Sequence, residues 1–259
     1  MTTTDSRTQQ PRATETLGSS MVVGASRGLG RGVASALARA GSTVIAVARS
    51  AAPLEELAKE ASGVVPEVAD ASDPSVPGVL LDRHQPDNVV IVAGAGPLMR
   101  PLQQQTWETF SVNWNTDVRI TFQWLRESLL VPLRPGSRVI VVSSGAALNG
   151  SPLSGGYAGA KATQRFITAY AQEEAGRAGL DIAYTAVLPQ LTPMTDLGQT
   201  AVRAYAARAG RSYEEHARQL GEVLTPDAAG AALVQLLRTH PGELAPAYRL
   251  SAAGLAALS

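Results

Sequence analysis

The chain has 259 residues, a length that suits one α/β domain or two smaller domains. Hydrophobic residues make up 45% of it and charged residues 17%, so the chain can bury a core and is not intrinsically disordered. Its 22 basic and 22 acidic residues cancel, which argues against nucleic acid as a partner. The lack of cysteine excludes disulfides, thiol nucleophiles and thiolate metal sites.

The amino-terminal segment is polar, and no apolar run in the sequence approaches the length of a membrane-spanning helix. Residues 1–19 are rich in Thr and Gln and lack the apolar stretch of a secretory signal, so we predict a disordered extension there. We expect a cytoplasmic protein that does not bind membranes. The three histidines are scattered, with no H-x-x-x-H or carboxylate partner pattern in the sequence, and we predict no metal site.

Short apolar runs alternate with segments of helical periodicity through the rest of the chain. The predicted strands are residues 21–23, 43–48, 64–68, 88–93, 138–142, 181–187 and 247–250. The predicted helices are residues 31–40, 53–61, 106–130, 157–175, 199–220 and 226–238. Apolar strands that alternate with helices are typical of a parallel sheet covered on both faces. We therefore predict one doubly wound α/β domain over residues 20–259.

A glycine-rich loop joins the first predicted strand to the first predicted helix, with the spacing G-x-x-x-G-x-G. Gly24 permits a tight turn, Gly28 lets the backbone approach a pyrophosphate, and Gly30 lets the helix pack against the strand. The first N–H groups of the helix then face the anion. A glycine-rich turn without a ligand is the alternative, because the G-x-G-x-x-G pattern fails at Val33.

The same loop also matches G-x-S-x-G, the pattern around the nucleophile of α/β-hydrolases, with Ser26 as the nucleophile. Asp227 and His240 follow in the order that a hydrolase triad requires. This alternative is weaker, because Ser26 follows the first strand and no earlier strand supplies contacts to the oxyanion.

Two polar side chains four residues apart, Tyr157 and Lys161, share one face of a predicted helix. A phenol, with a pKa of about 10, is a poor acid at neutral pH, and a nearby ammonium group lowers that pKa. Tyr157 is therefore a candidate proton donor, and Lys161 is a candidate for the group that lowers its pKa, although Y-x-x-x-K is common by chance. Ser144 ends a predicted strand 13 residues before Tyr157 and can return to hydrogen-bond a carbonyl oxygen shared with that tyrosine. Alternatively, Ser144 only closes a turn.

Taken together, these motifs resemble those of single-domain short-chain dehydrogenases/reductases over about residues 20–250. The matching elements are the glycine loop at 24–30, Asp70, the run Ala93-Gly94-Ala95-Gly96, Asn113, Ser144, Tyr157 and Lys161. The resemblance implies a Rossmann-type, mostly parallel sheet of seven strands with helices on both faces. It also implies an NAD(P)-dependent oxidoreductase that reduces a carbonyl to an alcohol or catalyses the reverse reaction.

The resemblance assigns roles to four side chains. Tyr157 would be the general acid in reduction and the general base in oxidation, and Lys161 would tune it and bind the nicotinamide ribose. Ser144 would orient the substrate carbonyl, and Asn113 would hold a water molecule in the proton relay. The residues expected against the cofactor are Gly24, Ser26, Arg27, Gly28, Leu29, Gly30, Arg49, Asp70, Ala71, Ala93, Gly94, Ala95, Tyr157, Lys161, Pro189, Leu191 and Thr192.

Two departures from the family pattern affect the expected cofactor site. Ala93 stands where the family usually has asparagine, which removes a side-chain hydrogen bond after the fourth strand. Gln190 follows Pro189 in place of the usual glycine. The contact to the nicotinamide carboxamide therefore stays open between Thr192 and Thr195.

The residues after the second strand favour a 2′-phosphate over a 2′-hydroxyl on the adenosine ribose. No acidic residue stands there to bind the hydroxyl; instead Arg49 follows the strand, and Arg27 lies in the glycine loop. Two guanidinium groups can clamp a phosphate, unless both are solvated surface arginines. We predict NADP(H) as the preferred cofactor and NAD(H) as the alternative, with Asp70 and the Ala71 backbone against adenine as the resemblance implies.

Small or apolar residues are expected to line the substrate pocket, which favours a small uncharged carbonyl or alcohol substrate. They are Ala95, Gly96, Pro97, Ala146, Ala147, Leu153, Leu191 and Met194. The family implies a lid at about residues 190–220 and a homodimer or homotetramer formed through the helices at 107–130 and 157–175. A sensor or scaffold that binds NADP(H) without turnover is the alternative function, and a serine hydrolase is the third.

Overall fold

Eight strands form one sheet within residues 17–258, the part of the chain that the computed structural model describes. In chain order they are β1 (Ser19–Val23), β2 (Thr43–Ala48), β3 (Val64–Val68), β4 (Asn88–Ile91), β5 (Ser137–Val142), β6 (Ile182–Pro189), β7 (Ala247–Ser251) and β8 (Gly254–Leu258). Their order across the sheet is β3-β2-β1-β4-β5-β6-β7-β8. The first seven run parallel, and β8 pairs antiparallel with β7.

Helices connect the strands and cover both faces of the sheet. In chain order they are α1 (Gly28–Arg39), α2 (Ala51–Glu60), α3 (Val76–His84), α4 (Trp107–Phe110), α5 (Arg119–Leu130), α6 (Ala146–Asn149), α7 (Tyr157–Arg177), α8 (Asp196–Arg208), α9 (Tyr213–Gln219) and α10 (Pro226–Arg238). A π-helix (Trp114–Val118) precedes α5, and two 3₁₀ turns lie at Leu102–Gln104 and Pro241–Glu243. Within residues 17–258, no helix combines the length and apolar character that crossing a membrane requires.

Successive strand side chains point into two separate cores, one on each face of the sheet. In β1, Val22 packs into the core that α1, α2 and α10 cover. Met21 and Val23 pack into the opposite core, beneath α3, α5 and α7. All three side chains are completely buried. Burial on both faces explains why the strands appear in the sequence as continuous apolar runs.

The chain reverses its path across the sheet between β1 and β4. From β1 it proceeds outward through β2 to β3, and it then returns to β4, on the other side of β1. The connections that follow β1 and β4 therefore diverge and leave a crevice at the carboxyl ends of these strands. The glycine loop leaves β1 at this crevice.

The predicted doubly wound α/β fold is confirmed, but the sheet has one strand more than the seven expected. Ser251 of β7 pairs with Gly254 of β8, so two alanines form the whole turn between the strands. Gly254 has a φ of +104°, a conformation that glycine adopts without strain. Ala-Ala is not a typical hairpin turn, and the sequence therefore did not indicate β8.

The ordered domain begins earlier than residue 20, where its start was predicted. Leu17 is only 6% exposed and belongs to one of the two cores. Ser19 is the first residue of β1, and its backbone N–H donates to Asp87 Oδ2 at 2.7 Å. The rest of the predicted extension, residues 1–16, lies outside the described residues.

The helix predicted over residues 106–130 is interrupted rather than continuous. Thr106 caps α4 in a capping box with Thr109, and α4 ends after one turn. The π-helix follows, and its wider turn places an extra residue in the helical path. Asn113 and Asp117 are both buried at this interruption. The break thus brings polar side chains to the inner side of an otherwise amphipathic segment.

Candidate active site

A deep cleft with a volume of about 880 Å³ opens at the carboxyl ends of the strands. It is lined by nearly all the site residues that the sequence predicts: Gly24, Ser26, Arg27, Gly28, Leu29, Gly30, Arg49, Asp70, Ala71, Ala93, Gly94, Ala95, Ser144, Tyr157, Lys161, Pro189, Leu191 and Thr192. Asn113 is the exception and lies behind the wall. One cavity therefore contains both the glycine loop and the candidate proton donor.

Close backbone contacts in the glycine loop leave no room for side chains. Gly24 has a φ of +98°, and a Cβ there would lie 2.7 Å from the backbone nitrogen of Ala93. A Cβ on Gly30 would collide with the carbonyl oxygen of Gly24. Arg27 precedes α1 without a capping side-chain hydrogen bond, and the first turn of α1 contains no acidic residue. The first N–H groups of α1 are therefore left for an anion.

Asp70 and Arg49 lie on the cleft wall beyond β2 and β3. Asp70 Oδ1 accepts hydrogen bonds from the backbone N–H of Ser72 at 2.9 Å and from its hydroxyl at 2.8 Å. These two hydrogen bonds, assisted by the charge of Arg49, lower the pKa of Asp70. The carboxylate is thus a fixed, ionised acceptor at this end of the cleft.

Arg27 forms an ion pair across the mouth of the cleft. Its Nη1 lies 3.6 Å from Asp196 Oδ2 at the start of α8, and both side chains are largely exposed. Ion pairs exposed to this degree contribute little stability. The Arg27 guanidinium is therefore available to exchange its partner for another anion.

Tyr157 and Lys161 lie one turn apart at the start of α7 and on the same face, as their spacing predicted. Lys161 Nζ lies 5.5 Å from the centroid of the Tyr157 ring. The carbonyl of Lys161 accepts a hydrogen bond of 2.7 Å from Ser143 Oγ at the end of β5. This bond fixes the start of α7 against the sheet, so the ammonium is held behind the phenol.

Asp117 is a functional candidate that the sequence did not indicate. Its Oδ2 lies 3.0 Å from Lys161 Nζ, and both side chains are buried. Its Oδ1 accepts hydrogen bonds from the Ala95 N–H at 2.8 Å and from Asn113 Nδ2 at 3.2 Å. The sequence shows an Asp four residues after Asn113, but the lysine that it meets lies on a distant helix. No local pattern joins the two charges.

The environment of Lys161 favours its protonated form. Burial of the ammonium acts to lower the pKa of Lys161, because charge is poorly solvated in the interior. The negative charge of Asp117, with a smaller contribution from Tyr157, outweighs burial and raises the pKa of Lys161 above its ordinary value. The lysine is therefore a cation wherever the active site operates near neutral pH.

Asn113 lies where it can support the cleft wall but does not face the cavity. Its side-chain amide donates to the carbonyl of Ala95 at 2.7 Å as well as to Asp117. The residue is 1% exposed. The Asn113 side chain therefore holds the loop after β4 in place.

Ser144 lies two residues beyond β5 and lines the cleft. Its Oγ accepts the Ala146 N–H at 3.2 Å. The next residue, Gly145, donates its N–H to the carbonyl of Pro189 at 2.8 Å. The serine thus closes a turn while its hydroxyl hydrogen stays available to an acceptor in the cavity.

Three polar side chains fasten the segment after β6, and one of them, Gln190, is a departure from the family pattern. Gln190 Nε2 donates to the carbonyl of Glu222 at 2.9 Å, which ties the end of β6 to the segment beyond α9. Thr192 donates to the carbonyl of Leu224 at 2.5 Å. Thr195 Oγ1 accepts the Gly198 N–H and caps α8. Both threonine hydroxyls are therefore engaged in holding this segment.

The outer part of the cleft differs in its lining from the prediction. Three of the expected apolar lining residues do not belong to its wall: Ala147, Leu153 and Met194. The wall contains other apolar residues (Met99, Leu148, Leu197 and Ala201) together with the polar residues Asn149, Ser151 and Tyr205. The hydroxyl oxygens of Ser151 and Tyr205 lie 2.5 Å apart and join α8 to the loop after α6. The outer wall therefore offers hydrogen-bonding groups to a ligand.

The catalytic triad of a serine hydrolase is not assembled. Asp227 forms an ion pair of 3.0 Å with Arg39, and His240 Nδ1 accepts the Gly242 N–H at 3.2 Å. Neither Asp227 nor His240 lines the cleft that contains Ser26. Ser26 accordingly has no general base of the kind that this alternative requires.

Comparison with known proteins agrees with the motifs. The family model described as short chain dehydrogenase matches residues 20–206. D-erythrulose reductase of Gallus gallus is 32% identical over 127 residues, which are 48% of this chain and 51% of that protein. The hydroxynaphthalene reductase-like protein Arp2 of Metarhizium robertsii is 31% identical over 166 residues, 60% of this chain and 62% of that protein. L-xylulose reductase of Bos taurus is 28% identical over 184 residues, 70% of this chain and 74% of that protein.

The extent of these matches differs. The alignments with the reductases of Gallus gallus and Metarhizium robertsii span only 51% and 62% of those proteins. The family model, in contrast, covers most of this chain, from β1 into α8. That stretch includes the glycine loop, Ser144 and the Tyr157–Lys161 pair. The chain therefore belongs to the short-chain dehydrogenase family.

Proposed function

We propose that the chain is an oxidoreductase that reduces a small uncharged carbonyl compound to an alcohol, or catalyses the reverse reaction, with NADP(H) as the preferred cofactor. The observation that carries this proposal is the one cleft that Ser144, Tyr157 and Lys161 share with the glycine loop. A phenol with a buried ammonium behind it is suited to exchange a proton with an oxygen atom. A helix N-terminus at the other end is suited to bind a pyrophosphate.

The residues of the cleft fit a nicotinamide dinucleotide. The pyrophosphate would bind at the uncapped start of α1, where Gly24 and Gly30 keep the backbone free of side chains. Arg49 and Asp70 would bind the adenosine end, and Lys161 would bind the nicotinamide ribose. When bound, this cofactor supplies the donor or acceptor of the hydride.

The chain itself would orient the substrate and move the proton. The Ser144 hydroxyl would donate a hydrogen bond to the carbonyl oxygen, and Tyr157 Oη would transfer its proton to that oxygen as negative charge develops there. The Lys161 ammonium would stabilise the phenolate that remains. In the direction of oxidation the phenolate would accept the proton of the alcohol.

The cleft wall and the relatives together support the proposed substrate class. Two relatives are named as reductases of erythrulose and xylulose, and a third as hydroxynaphthalene reductase-like. The polar residues of the outer wall, Asn149, Ser151 and Tyr205, support a substrate that carries hydroxyl groups beside its carbonyl. Small hydroxylated ketones are therefore the first compounds to assay.

A second copy of the chain is the proposed partner of an exposed apolar face on α5 and α7. Phe122 on α5 is 55% exposed, and Phe166 and Tyr170 on α7 are 57% and 58% exposed. The two helices pack against each other, so these side chains contribute to one side of the molecule. Large exposed apolar patches commonly mark interfaces, and the family resemblance implies a dimer or tetramer through these helices.

Replacement of Tyr157 tests the proton donor. Tyr157→Phe keeps the ring but removes the acid, so we expect turnover to fall by about 10²- to 10⁴-fold. Cofactor affinity, measured by fluorescence titration, should stay close to that of the wild type. Tyr170→Phe, an exposed tyrosine on the same helix, is the control and should keep normal turnover. Near-normal turnover in Tyr157→Phe would contradict the mechanism.

Replacement of Arg49 tests the cofactor preference. One charge-assisted phosphate contact contributes about 1.5–3 kcal/mol, so Arg49→Ala should weaken NADPH binding by roughly 10- to 100-fold. NADH, which lacks the 2′-phosphate, should bind the variant as it binds the wild type. Arg238→Ala, at the exposed end of α10, is the matched control. An equal loss for both cofactors, or a wild type that prefers NADH, would overturn the assignment.

Sedimentation equilibrium tests the interface on α5 and α7. We expect the wild type to be a dimer or tetramer at micromolar concentration, and Phe166→Asp to dissociate because it places a charge in the apolar contact. Val79→Asp is the control, since Val79 is exposed to a similar degree on α3. A monomeric wild type, or the same dissociation in both variants, would be inconsistent with the proposed interface.

A further inference from the structure

The ion pair between Lys161 and Asp117 involves a side chain to which the family resemblance assigns no role. We propose that Asp117 is a positioning residue that keeps Lys161 protonated beside Tyr157 through the neutral pH range. The proposal rests on the proposed function, in which Tyr157 donates a proton. Asp117 acts through Lys161 and has no direct contact with the phenol in this arrangement.

The Asp117 carboxylate is held rigidly from three sides. Lys161 Nζ lies 3.0 Å from Oδ2, while the Ala95 N–H and the Asn113 amide donate to Oδ1 at 2.8 and 3.2 Å. The backbone carbonyl of Asp117 also accepts a hydrogen bond from Gln164 Nε2 of α7 at 3.2 Å. With its side chain 1% exposed, the carboxylate has a fixed distance from the ammonium.

Gly94 provides the space that this carboxylate occupies. A Cβ at position 94 would lie 2.7 Å from Asp117 Oδ2 and 3.0 Å from Oδ1. Since real Cβ atoms do not approach so closely, any side chain at residue 94 would displace the carboxylate. The position of the Asp117 carboxylate therefore requires a glycine at residue 94, although the two residues lie on different elements.

The buried negative charge of Asp117 raises the cost of removing the Lys161 proton. Loss of that proton would leave the Asp117 carboxylate buried without a cationic partner, which is strongly unfavourable. Without Asp117, Lys161 would therefore lose its proton at a lower pH.

The surroundings of the pair make Asp117 its principal electrostatic neighbour. Asp117 and Tyr157 are the charged or titratable partners of Lys161, and they raise its pKa against the opposing effect of burial. The other charged and titratable side chains on the cleft wall and on the adjoining parts of α5, α7 and β6 are Arg27, Arg49, Asp70, Arg119, Arg165, Tyr184, Asp196, Tyr205 and Arg249. The titration of Lys161 should therefore change most when Asp117 is replaced.

The chain is well suited to a direct test, because Lys59 and Lys161 are its only two lysines. In cofactor-free protein labelled with ¹³C-lysine, the NMR spectrum has one side-chain signal from Lys161 and one from exposed Lys59 as an internal reference. In the wild type, Lys161 should remain protonated at the pH where Lys59 titrates. In Asp117→Asn, which keeps an acceptor for Ala95, the midpoint of Lys161 should fall by about one pH unit or more.

Two results of this titration would overturn the proposal. One is a wild-type Lys161 that titrates at a lower pH than Lys59, which can be measured even if Asp117→Asn fails to fold. The other is a folded Asp117→Asn in which the Lys161 midpoint does not fall. Neither measurement requires turnover. A protein without turnover would contradict the proposed function, while the Lys161 titration would still decide the role of Asp117.

The pH profile of reduction provides the second readout. The high-pH limb of kcat/KM should shift to lower pH by about one unit in Asp117→Asn, because Lys161 then loses its proton at a lower pH and no longer supports Tyr157 as the acid. Asp181→Asn removes an exposed carboxylate just before β6 and should leave the limb in place. A lower rate of reduction in Asp117→Asn without a shift of the high-pH limb would mean that Asp117 only supports Ala95 structurally. That result would refute the proposal.

Discussion

The cleft is organised around a cation that has to be kept inside the protein. An ammonium group loses most of its hydration on burial, and only a closely held counter-charge and fixed geometry compensate for that loss. Asp117 provides the counter-charge at 3.0 Å, and the hydrogen bond from Ser143 to the Lys161 carbonyl fixes the first turn of α7. The π-helix and the side-chain-free Gly94 are the local features that let Asp117 reach this position.

At the opposite end of the cleft, the close packing of the backbone depends on two glycines, Gly24 and Gly30, and not on a buried charge. Gly24 and Gly30 bring α1 so close to β1 and β4 that its uncapped N-terminus faces the cavity. The segment that carries α8 lies over this region and is joined to it by separate polar contacts. Arg27 pairs with Asp196 at the rim, and Ser151 meets Tyr205 farther along the wall. These contacts are on the surface of the cleft, where a ligand can replace them.

The features that could be predicted from the sequence are those that depend on neighbouring residues in the chain. The glycine loop requires backbone freedom at fixed positions. Tyr157 and Lys161 come together because they are one helical turn apart. Helix α3 was missed because Pro77 and Gly78 lie within its first turn and weaken its pattern. Asp117 was missed for a different reason: it lies in a π-helix, which periodicity at 3.6 residues does not reveal, and its partner lies far along the chain. The buried charge pair is thus a product of the tertiary fold.

We propose that this cleft couples a nicotinamide cofactor to a carbonyl group, with Tyr157 as the proton donor. It is tested most directly by incubating the wild-type chain with NADPH and a panel of small ketones, with and without neighbouring hydroxyl groups, and quantifying both cofactor and product. The account predicts that at least one ketone is converted, with one alcohol formed for each NADPH consumed. Tight binding of NADPH without consumption by any member of the panel would contradict it and would identify the chain as a cofactor-binding protein without turnover.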